Sequence, residues 1–241
     1  MKAVILVGGL GTRLRPLTFA IPKPLLPVGE RPLLQIVIEQ LRDQGIDEIV
    51  LATGYQAELI RAFCEDGRRF GIAVSYVHEQ EPLGTAGPLG LLRGSLADGE
   101  DLLLMNGDVL TKLDVRRLID YGRRTGHDLT VAYTDYVYES PFGVLTIEDG
   151  QIAGIVEKPT VTHAISAGIY HVTSRALEYI PADTFFTMPQ LIDALVQDAR
   201  SVGAFRIDDF WLGLETIARF DEAMRELQAL SGYGDEGSDL R

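Results

Sequence analysis

The stretch Lys2-Ala3-Val4-Ile5-Leu6-Val7, running on through Gly8-Gly9-Leu10-Gly11-Thr12-Arg13 to Lys23-Pro24-Leu25-Leu26-Pro27, decides how this chain reads. Lys2 to Val7 is a short apolar run rich in β-branched residues, as a parallel strand buried on both faces requires. Three glycines follow within a few residues. Glycine permits φ > 0 and lets backbone N–H groups approach a ligand closely. A glycine loop after a strand can gather such donors into an anion nest, and Arg13 and Lys23 add fixed positive charge. A tight strand-to-helix turn with two surface cations is the simpler alternative. The combination of loop, Arg13 and Lys23-Pro24 favours a phosphate site built from Val7, Gly8, Gly9, Gly11 and Thr12. A dinucleotide fingerprint would need glycine at position 13 or 14, where Arg13 and Leu14 stand, and no Walker A pattern occurs anywhere in the chain.

The 241 residues suffice for one large α/β domain or two small ones. A formal net charge of −13 argues against sequence-general nucleic-acid binding, which needs a basic surface. No nucleic-acid partner is therefore expected, although local cations can still hold an anionic ligand. Cys64 is the single cysteine, so neither an internal disulfide nor a thiolate metal site is available. It reads as core filler. The chain shows no signal peptide and no apolar run near the ~18 residues of a membrane span, so a cytoplasmic protein without membrane contact is expected.

Apolar spacing then alternates between strand and helix. Arg31 to Gln44, Gln56 to Cys64, Thr85 to Gly94 and Asp114 to Arg124 read as helices. Glu48 to Ala52, Ala73 to Val77 and Leu102 to Met105 read as strands. This repetition predicts an α/β fold: a doubly wound, mostly parallel, Rossmann-like sheet with helices on both faces. The second half adds strand-like runs at Leu129 to Tyr133, Gly143 to Ile147, Ile152 to Val156, Ser166 to Val172 and Gly203 to Ile207. Helices are expected at Met188 to Asp198 and Glu215 to Leu230. We read this half as a smaller inserted β subdomain packed on the first sheet, and the glycine-rich acidic stretch Ser231 to Arg241 as a disordered tail. In such sheets ligands bind beyond the carboxyl ends of the strands. Besides the glycine loop, two segments fall there: Glu79 to Gly87 and Asn106-Gly107-Asp108. Asp108 follows a buried strand and a glycine, so its carboxylate can face the crevice and hold Mg²⁺ against phosphate; alone, an N-G-D would equally be a turn.

Gly8 to Thr18 and Pro22 to Pro27 resemble the G-G-x-G-T-R-L-x-P-L-T and P-K-P-L-x-P signature of the sugar-1-phosphate nucleotidylyltransferases, most like their mannose-1-phosphate guanylyltransferase branch. The resemblance runs from Met1 to about Leu230. It implies a nucleotidyltransferase domain over residues 1–230, with residues 1–125 binding an NTP and 126–230 a sugar phosphate. It implies Arg13, Lys23, Asp108 and Lys158 as catalytic residues, with Mg²⁺ on Asp108. Glu79 to Gly87 is similar to the nucleobase segment, so Glu79, Pro82, Gly84 and Thr85, with Asn106 and Gly107, would contact the nucleotide. A carboxylate only accepts hydrogen bonds and suits the two adjacent donors of guanine, while the single uracil N–H also fits. GTP is the preferred reading. Phe142-Gly143-Val144, Glu157-Lys158-Pro159 and Ser166-Ala167-Gly168-Ile169-Tyr170 resemble the sugar-phosphate elements, implying roles for Gly143, Glu157, Lys158, Ala167 and Gly168.

One element departs from the family pattern. The aspartate of W-x-D-x-G, a second Mg²⁺ ligand in relatives, is replaced at its position by Gly213. Phe210-Trp211 with Leu214-Glu215-Thr216 fits a variant spacing, making Glu215 the candidate second ligand, with Asp208 and Asp209 as alternatives. Glu215 also reads as the favourable acid that starts the last helix. Two function classes follow. One is an enzyme that joins an NTP to a sugar-1-phosphate and releases pyrophosphate. The other is a non-catalytic nucleotide-sugar-binding regulatory subunit on the same fold. A homodimer is plausible. Heptose-, muramate- and cyclitol-phosphates stand open beside hexose phosphates.

Overall fold

The computed structural model describes residues 1–94, 96 and 99–231, so the tail beyond Ser231 lies outside the described residues. Strand β1 (Lys2–Leu6) alternates Ala3 and Ile5 into one buried cluster with Val4 into another, and so is covered on both faces. Helix α1 (Leu17–Ala20) and a short ladder of β2 (Pro27–Val28) with β3 (Arg31–Pro32) precede α2 (Leu33–Asp43). There follow β4 (Glu48–Thr53), α3 (Ala57–Cys64), β5 (Ala73–His78), α4 (Gly87–Gly90), β6 (Leu102–Asn106), β7 (Val109–Thr111) and α5 (Val115–Thr125). The second half supplies β8 (Leu129–Glu139), β9 (Val144–Glu148), β10 (Gln151–Val156), β11 (Thr160–Val172), α6 (Ser174–Leu177), α7 (Met188–Gln197), β12 (Val202–Arg206), β13 (Trp211–Gly213) and α8 (Ile217–Ser231).

The central sheet has seven strands in the order β12-β8-β11-β6-β1-β4-β5. Only β11 runs against its neighbours, so the sheet is mostly parallel as expected. Buried residues of α2, α3 and α5 fill one face, while those of α4, α6 and α7 fill the other. The chain runs from β1 outward to β4 and β5, then returns to place β6 on the other side of β1. That reversal creates a switch point, and Leu6 stands level with Ala52 on β4 and Asn106 on β6.

Several predicted boundaries shift for physical reasons. The expected helix Thr85 to Gly94 is only the four residues of α4, whose leading N–H groups, of Ala86 and Gly87, donate to the Phe186 carbonyl at 2.9 Å. Strands β8, β11 and β12 extend the central sheet; β9 with β10, β7 with β13, and β2 with β3 form separate two-stranded ladders. The last helix begins at Ile217, so Glu215 precedes it and does not act as a first-turn acid. Cys64 is buried, and burial pushes its thiol up to about 12, the property of inert filler.

One buried charge holds the far edge of the sheet. The Asp128 carboxylate, at the start of β8, accepts from Arg175 of α6, from Arg200 and from the Ser201 N–H at 3.3 Å. Burial alone would raise its pKa. The hydrogen bonds from Arg175 and Ser201 and the two guanidinium charges outweigh that, and the group sits below the usual carboxylate range. Its contribution is therefore complete above the unfolded pKa of ~3.9 and is lost as pH falls through the lower folded value. Asp128→Ala removes the acceptor shared by two solvent-accessible guanidinium groups and the Ser201 N–H, and should cost about 1–2 kcal/mol in urea unfolding at pH 7. The gap between variant and wild type should close in acid.

Candidate active site

The loops at the carboxyl ends of β1, β5 and β6 open onto one cleft, and the loop after β4 is tied to the first of them. Val7 still donates to Ala52, Tyr55 N–H bonds the Gly8 carbonyl at 3.2 Å, Glu79 N–H bonds Thr53, and Gly107 N–H bonds Leu6. These main-chain bonds tie four loop starts to one another. Beyond them, the N–H groups of Gly8, Gly9, Leu10, Gly11, Thr12 and Arg13 donate to no group among the described residues. Gly11 takes the left-handed conformation, φ 59°, and turns the loop. A Cβ at Gly8 would lie 2.8 Å from Glu79 Oε1 and 3.0 Å from the Gly54 nitrogen, so the loop packs against its neighbours at backbone distance.

The cleft has a volume of ≈ 370 Å³. Val7, Gly8, Gly9 and Gly11 line one wall; Glu79, Pro82, Gly84 and Thr85 line another; Asn106, Gly107 and Asp108 form the floor with Lys23. A neighbouring cavity of ≈ 230 Å³ brings Thr12 and Arg13 together with Lys23, Asp108 and Glu215. Lys23 Nζ donates to Asp108 Oδ2 at 2.5 Å. Asp108 and Glu215 meet because β13 pairs antiparallel with β7, Gly213 opposite Val109, and the Leu214 N–H continues that ladder to the Asp108 carbonyl at 2.9 Å. The missing side chain at position 213 makes room for the acid: a Cβ there would lie 2.4 Å from Glu215 Oε1. Asp208 and Asp209, the alternative ligands, point elsewhere: Asp208 pairs with Arg206 and Asp209 with Arg117.

Glu79 is held by its own loop, with Oε2 accepting from Leu83 N–H at 2.9 Å. Burial raises its pKa, opposed by that hydrogen bond. Oε2 already accepts from Leu83 and Oε1 lies beside Gly8, and each carboxylate oxygen keeps a lone pair for a further donor.

The remaining predicted residues divide into two groups. Gly168 reaches the floor, since a Cβ on it would strike Asn106 Nδ2 at 2.5 Å, and the carbonyl of buried Ala167 beside it accepts from Trp211 at 2.9 Å. Gly143, Glu157 and Lys158 stand away from both cavities, at the base of the β9–β10 hairpin, with Glu157 and Lys158 exposed. Lys158 takes a left-handed φ of 43°, and Gly143 abuts Glu157 Oε2.

Sequence reasoning missed Phe185, which is 59% exposed and lines the cleft beside Gly84. Its loop is latched to the Glu79–Gly87 segment: Phe186 N–H donates to Leu83 at 2.8 Å, and Met188 N–H to Thr85 Oγ1 at 2.8 Å. The available signal was the T-x-x-Q capping box at Thr187 and Gln190, which fixes where α7 starts and leaves two aromatic residues just ahead of it.

A family model described as nucleotidyl transferase matches residues 2–229. A probable mannose-1-phosphate guanylyltransferase 1 of Oryza sativa subsp. japonica is 37% identical over 89% of this chain and 61% of its own length. A mannose-1-phosphate guanylyltransferase catalytic subunit beta of Xenopus tropicalis is 34% identical with the same coverage. The chain thus spans about three-fifths of the length of these curated relatives. Among solved structures, HddC from Yersinia pseudotuberculosis, also solved with GMP-PN, superposes with a TM-score of 0.74 at 27% identity, covering 94% of this chain and 99% of that one. A putative glucose-1-phosphate thymidylyltransferase from Bacillus anthracis gives 0.75 at 25% identity, over 99% and 98%.

Gly84 tests the latch. Its φ is +81°, and a Cβ would lie 2.7 Å from the Phe186 carbonyl oxygen. Gly84→Ala should cost about 1–3 kcal/mol. Hydrogen exchange should show lost protection at the Ala86 and Gly87 amides, which donate to that oxygen, while the amides of β1 keep theirs.

Proposed function

The chain belongs to the nucleotidyl transferase family, and from that premise we propose that it transfers a nucleoside monophosphate from an NTP to a sugar-1-phosphate. An oxygen of the sugar phosphate attacks the α-phosphorus, the bond from that phosphorus to the bridging oxygen breaks, and pyrophosphate leaves. No covalent enzyme intermediate is required. Catalysis is positioning and charge stabilisation. The observation that carries this reading is the convergence of Arg13, Lys23, Asp108 and Glu215 on one cavity beside six uncommitted backbone N–H groups.

In this proposal residues 1–125 bind the nucleotide and 126–230 the sugar phosphate. Gly8 to Thr12 and Arg13 receive the triphosphate, and Lys23 lies on the phosphates near the reacting phosphorus. Gly107 and Asn106 leave space on the floor. Pro82, Gly84 and Thr85 border the base, with Phe185 as an apolar wall. Ala167, Gly168, Gly143 and Glu157 border the sugar, and Lys158 orients its phosphate. The donor set fits Mg²⁺, which binds one or two carboxylates and completes its shell with phosphate oxygens and water. Among the described residues no group of three or more acidic, His or Cys side chains forms a closed metal cage. Asp108 and Glu215 would hold the ion, which when bound neutralises charge on the phosphate oxygens.

GTP is the proposed nucleotide and mannose-1-phosphate or a related glycosyl phosphate the acceptor. The names of the relatives support this choice. Among the described residues no helix is long and apolar enough to cross a membrane; a cytoplasmic enzyme remains our proposal.

Pyrophosphate release, measured across the four NTPs and a panel of sugar-1-phosphates, tests the reaction. Turnover is expected with GTP, and Asp108→Asn and Glu215→Gln should each lower kcat/KM by about 10²-fold or more. Nucleotide binding without turnover on any pair would favour the regulatory reading instead. An unaffected Glu215→Gln would remove that residue from the metal site.

Base recognition has a pH signature. The raised pKa of Glu79 means that its carboxylate is lost at a higher pH than an ordinary glutamate. KM for GTP should therefore climb as pH falls through the upper carboxylate range. Glu79→Gln should flatten that climb while leaving KM for the sugar phosphate unchanged.

A further inference from the structure

Helix α1 reverses the usual sorting of side chains. Leu17 and Phe19 stand 49% and 59% exposed, while the polar Thr18 is its only buried residue, at 1%. A hydroxyl is costly to desolvate and needs a hydrogen bond in the interior. Thr18 Oγ1 donates one to the Gly11 carbonyl at 2.8 Å. That carbonyl also accepts from Leu14 N–H at 2.9 Å, so both of its lone pairs are in use. Gly11 is the left-handed turn of the glycine loop. A Cβ on it would lie 2.8 Å from Thr18 Cγ2 and 3.3 Å from Lys23 Cβ. The turn is therefore packed against Thr18 and against the stem of Lys23, whose ammonium meets Asp108.

The loop after β4 holds α1 in turn. Tyr55 Oη donates to the Thr18 carbonyl at 3.4 Å, and Gln56 Nε2 to the Phe19 carbonyl at 3.0 Å. The last carbonyls of a helix have no partner within it, and these side chains supply one. Tyr55 N–H meanwhile bonds the Gly8 carbonyl at 3.2 Å. One residue thus grips the glycine loop at its start and, through Thr18, at its turn. Gln56 is itself left-handed, φ 52°, a conformation that glycine tolerates and glutamine disfavours. Such a residue persists where its surroundings over-determine it, and strain of this kind gathers at ligand clamps. Thr18, Tyr55 and Gln56 line neither the cleft nor the cavity shared by Arg13, Asp108 and Glu215. They act on the site only through the backbone of the loop.

We infer that Thr18 is a positioning residue for the phosphates. Through Gly11 it sets the aim of the N–H groups at the turn of the loop, with Tyr55 and Gln56 as its anchors. This rests on the proposed reading that the loop receives the triphosphate. Glycines let the loop approach a ligand closely, but glycine also loses more conformational freedom on ordering than any other residue. Between the two grips, Gly9 meets nothing within 4 Å of where a Cβ would stand. A tether at the turn removes freedom that a bound triphosphate would otherwise have to remove. It strengthens binding without adding a contact to the ligand. The nucleobase segment is held separately, by the Leu83 hydrogen bond to Glu79 and by the Phe186 latch. The tether therefore acts on the phosphates and not on the base.

Equilibrium binding of GTP and of GMP, read beside steady-state kinetics, tests the tether. Thr18→Val keeps the shape of the side chain and removes the hydroxyl. It should weaken GTP about tenfold, the scale of one hydrogen bond, and GMP less than about twofold, with KM for the sugar phosphate unchanged. Thr18→Ser should bring GTP back to within about threefold of wild type. Tyr55→Phe leaves the main-chain bond to Gly8 intact and should give a weaker form of the same split. Added to Thr18→Val it should change little further, since the anchor acts through Thr18. Equal losses for GTP and GMP, no rescue by serine, an additive double variant, or wild-type GTP affinity in Thr18→Val would each overturn the inference. Should Thr18→Val not fold, Tyr55→Phe decides: a GTP-selective loss supports the tether and an unchanged affinity overturns it. A wild type that binds no NTP would overturn the phosphate reading itself, an outcome distinct from all of these.

Discussion

The hydrogen bond from Leu214 N–H to the Asp108 carbonyl is the contact on which the reactive end of this molecule depends. It extends the short β7–β13 ladder by one residue and so joins a loop near the end of the fold to the strand at its centre. Without it, Glu215 would belong to the approach of the last helix and Asp108 to an ordinary turn. With it, two acids far apart in sequence share one cavity. Two like charges in a partly buried site repel, and their coexistence requires local cations. Lys23 and Arg13 supply them, and Lys23 does so by direct contact. The basic coil after the glycine loop is thus part of the same electrostatic unit as the acids, although it forms no strand of the central sheet.

The parallel strands decide where that unit can stand. Because β1 lies between β4 and β6 in matched register, the chain leaves all three strands at one level, and the glycine loop, Gly54 and Asn106-Gly107 emerge side by side. Glycines then set the spacing. Side chains at positions 8, 107 and 168 would collide with Glu79, with the Leu6 carbonyl and with Asn106 respectively. Absent Cβ atoms at these positions let the loops approach one another closely around the cleft.

Period and composition carried much of this. The apolar run from Lys2 to Val7, the helical spacing from Leu33 to Leu41, and the compound pattern from Gly8 to Pro27 are each local signals, and the first two become β1 and α2. The failures share a cause. Thr85 to Gly94 has helical spacing, yet only Gly87–Gly90 is helical, and its start is docked on the Phe186 carbonyl far along the chain. Leu129 to Tyr133 reads as the start of a separate unit, but β11 needs a partner on its second edge and draws β8 and β12 into the main sheet. Phe185 carries no periodic signal because its position is set by a loop-to-loop latch. Short-range patterns do not encode such long-range acceptors, edges and latches.

The replacement of the usual aspartate by Gly213 shows how a local departure can be repaired by geometry. A residue on β13 itself sits in a ladder with Val109, where a carboxylate would project at the level of the strand. Moving the acid two residues along places it beyond the ladder, level with Gly107, and the longer glutamate arm must fold back to reach the cavity shared with Asp108. That return path crosses the space above position 213. A Cβ at position 213 would meet the carboxylate end of Glu215, so the glycine leaves that side chain the room it uses here. Gly213 and Glu215 are therefore linked through space as well as in sequence, and the two positions have to be read together.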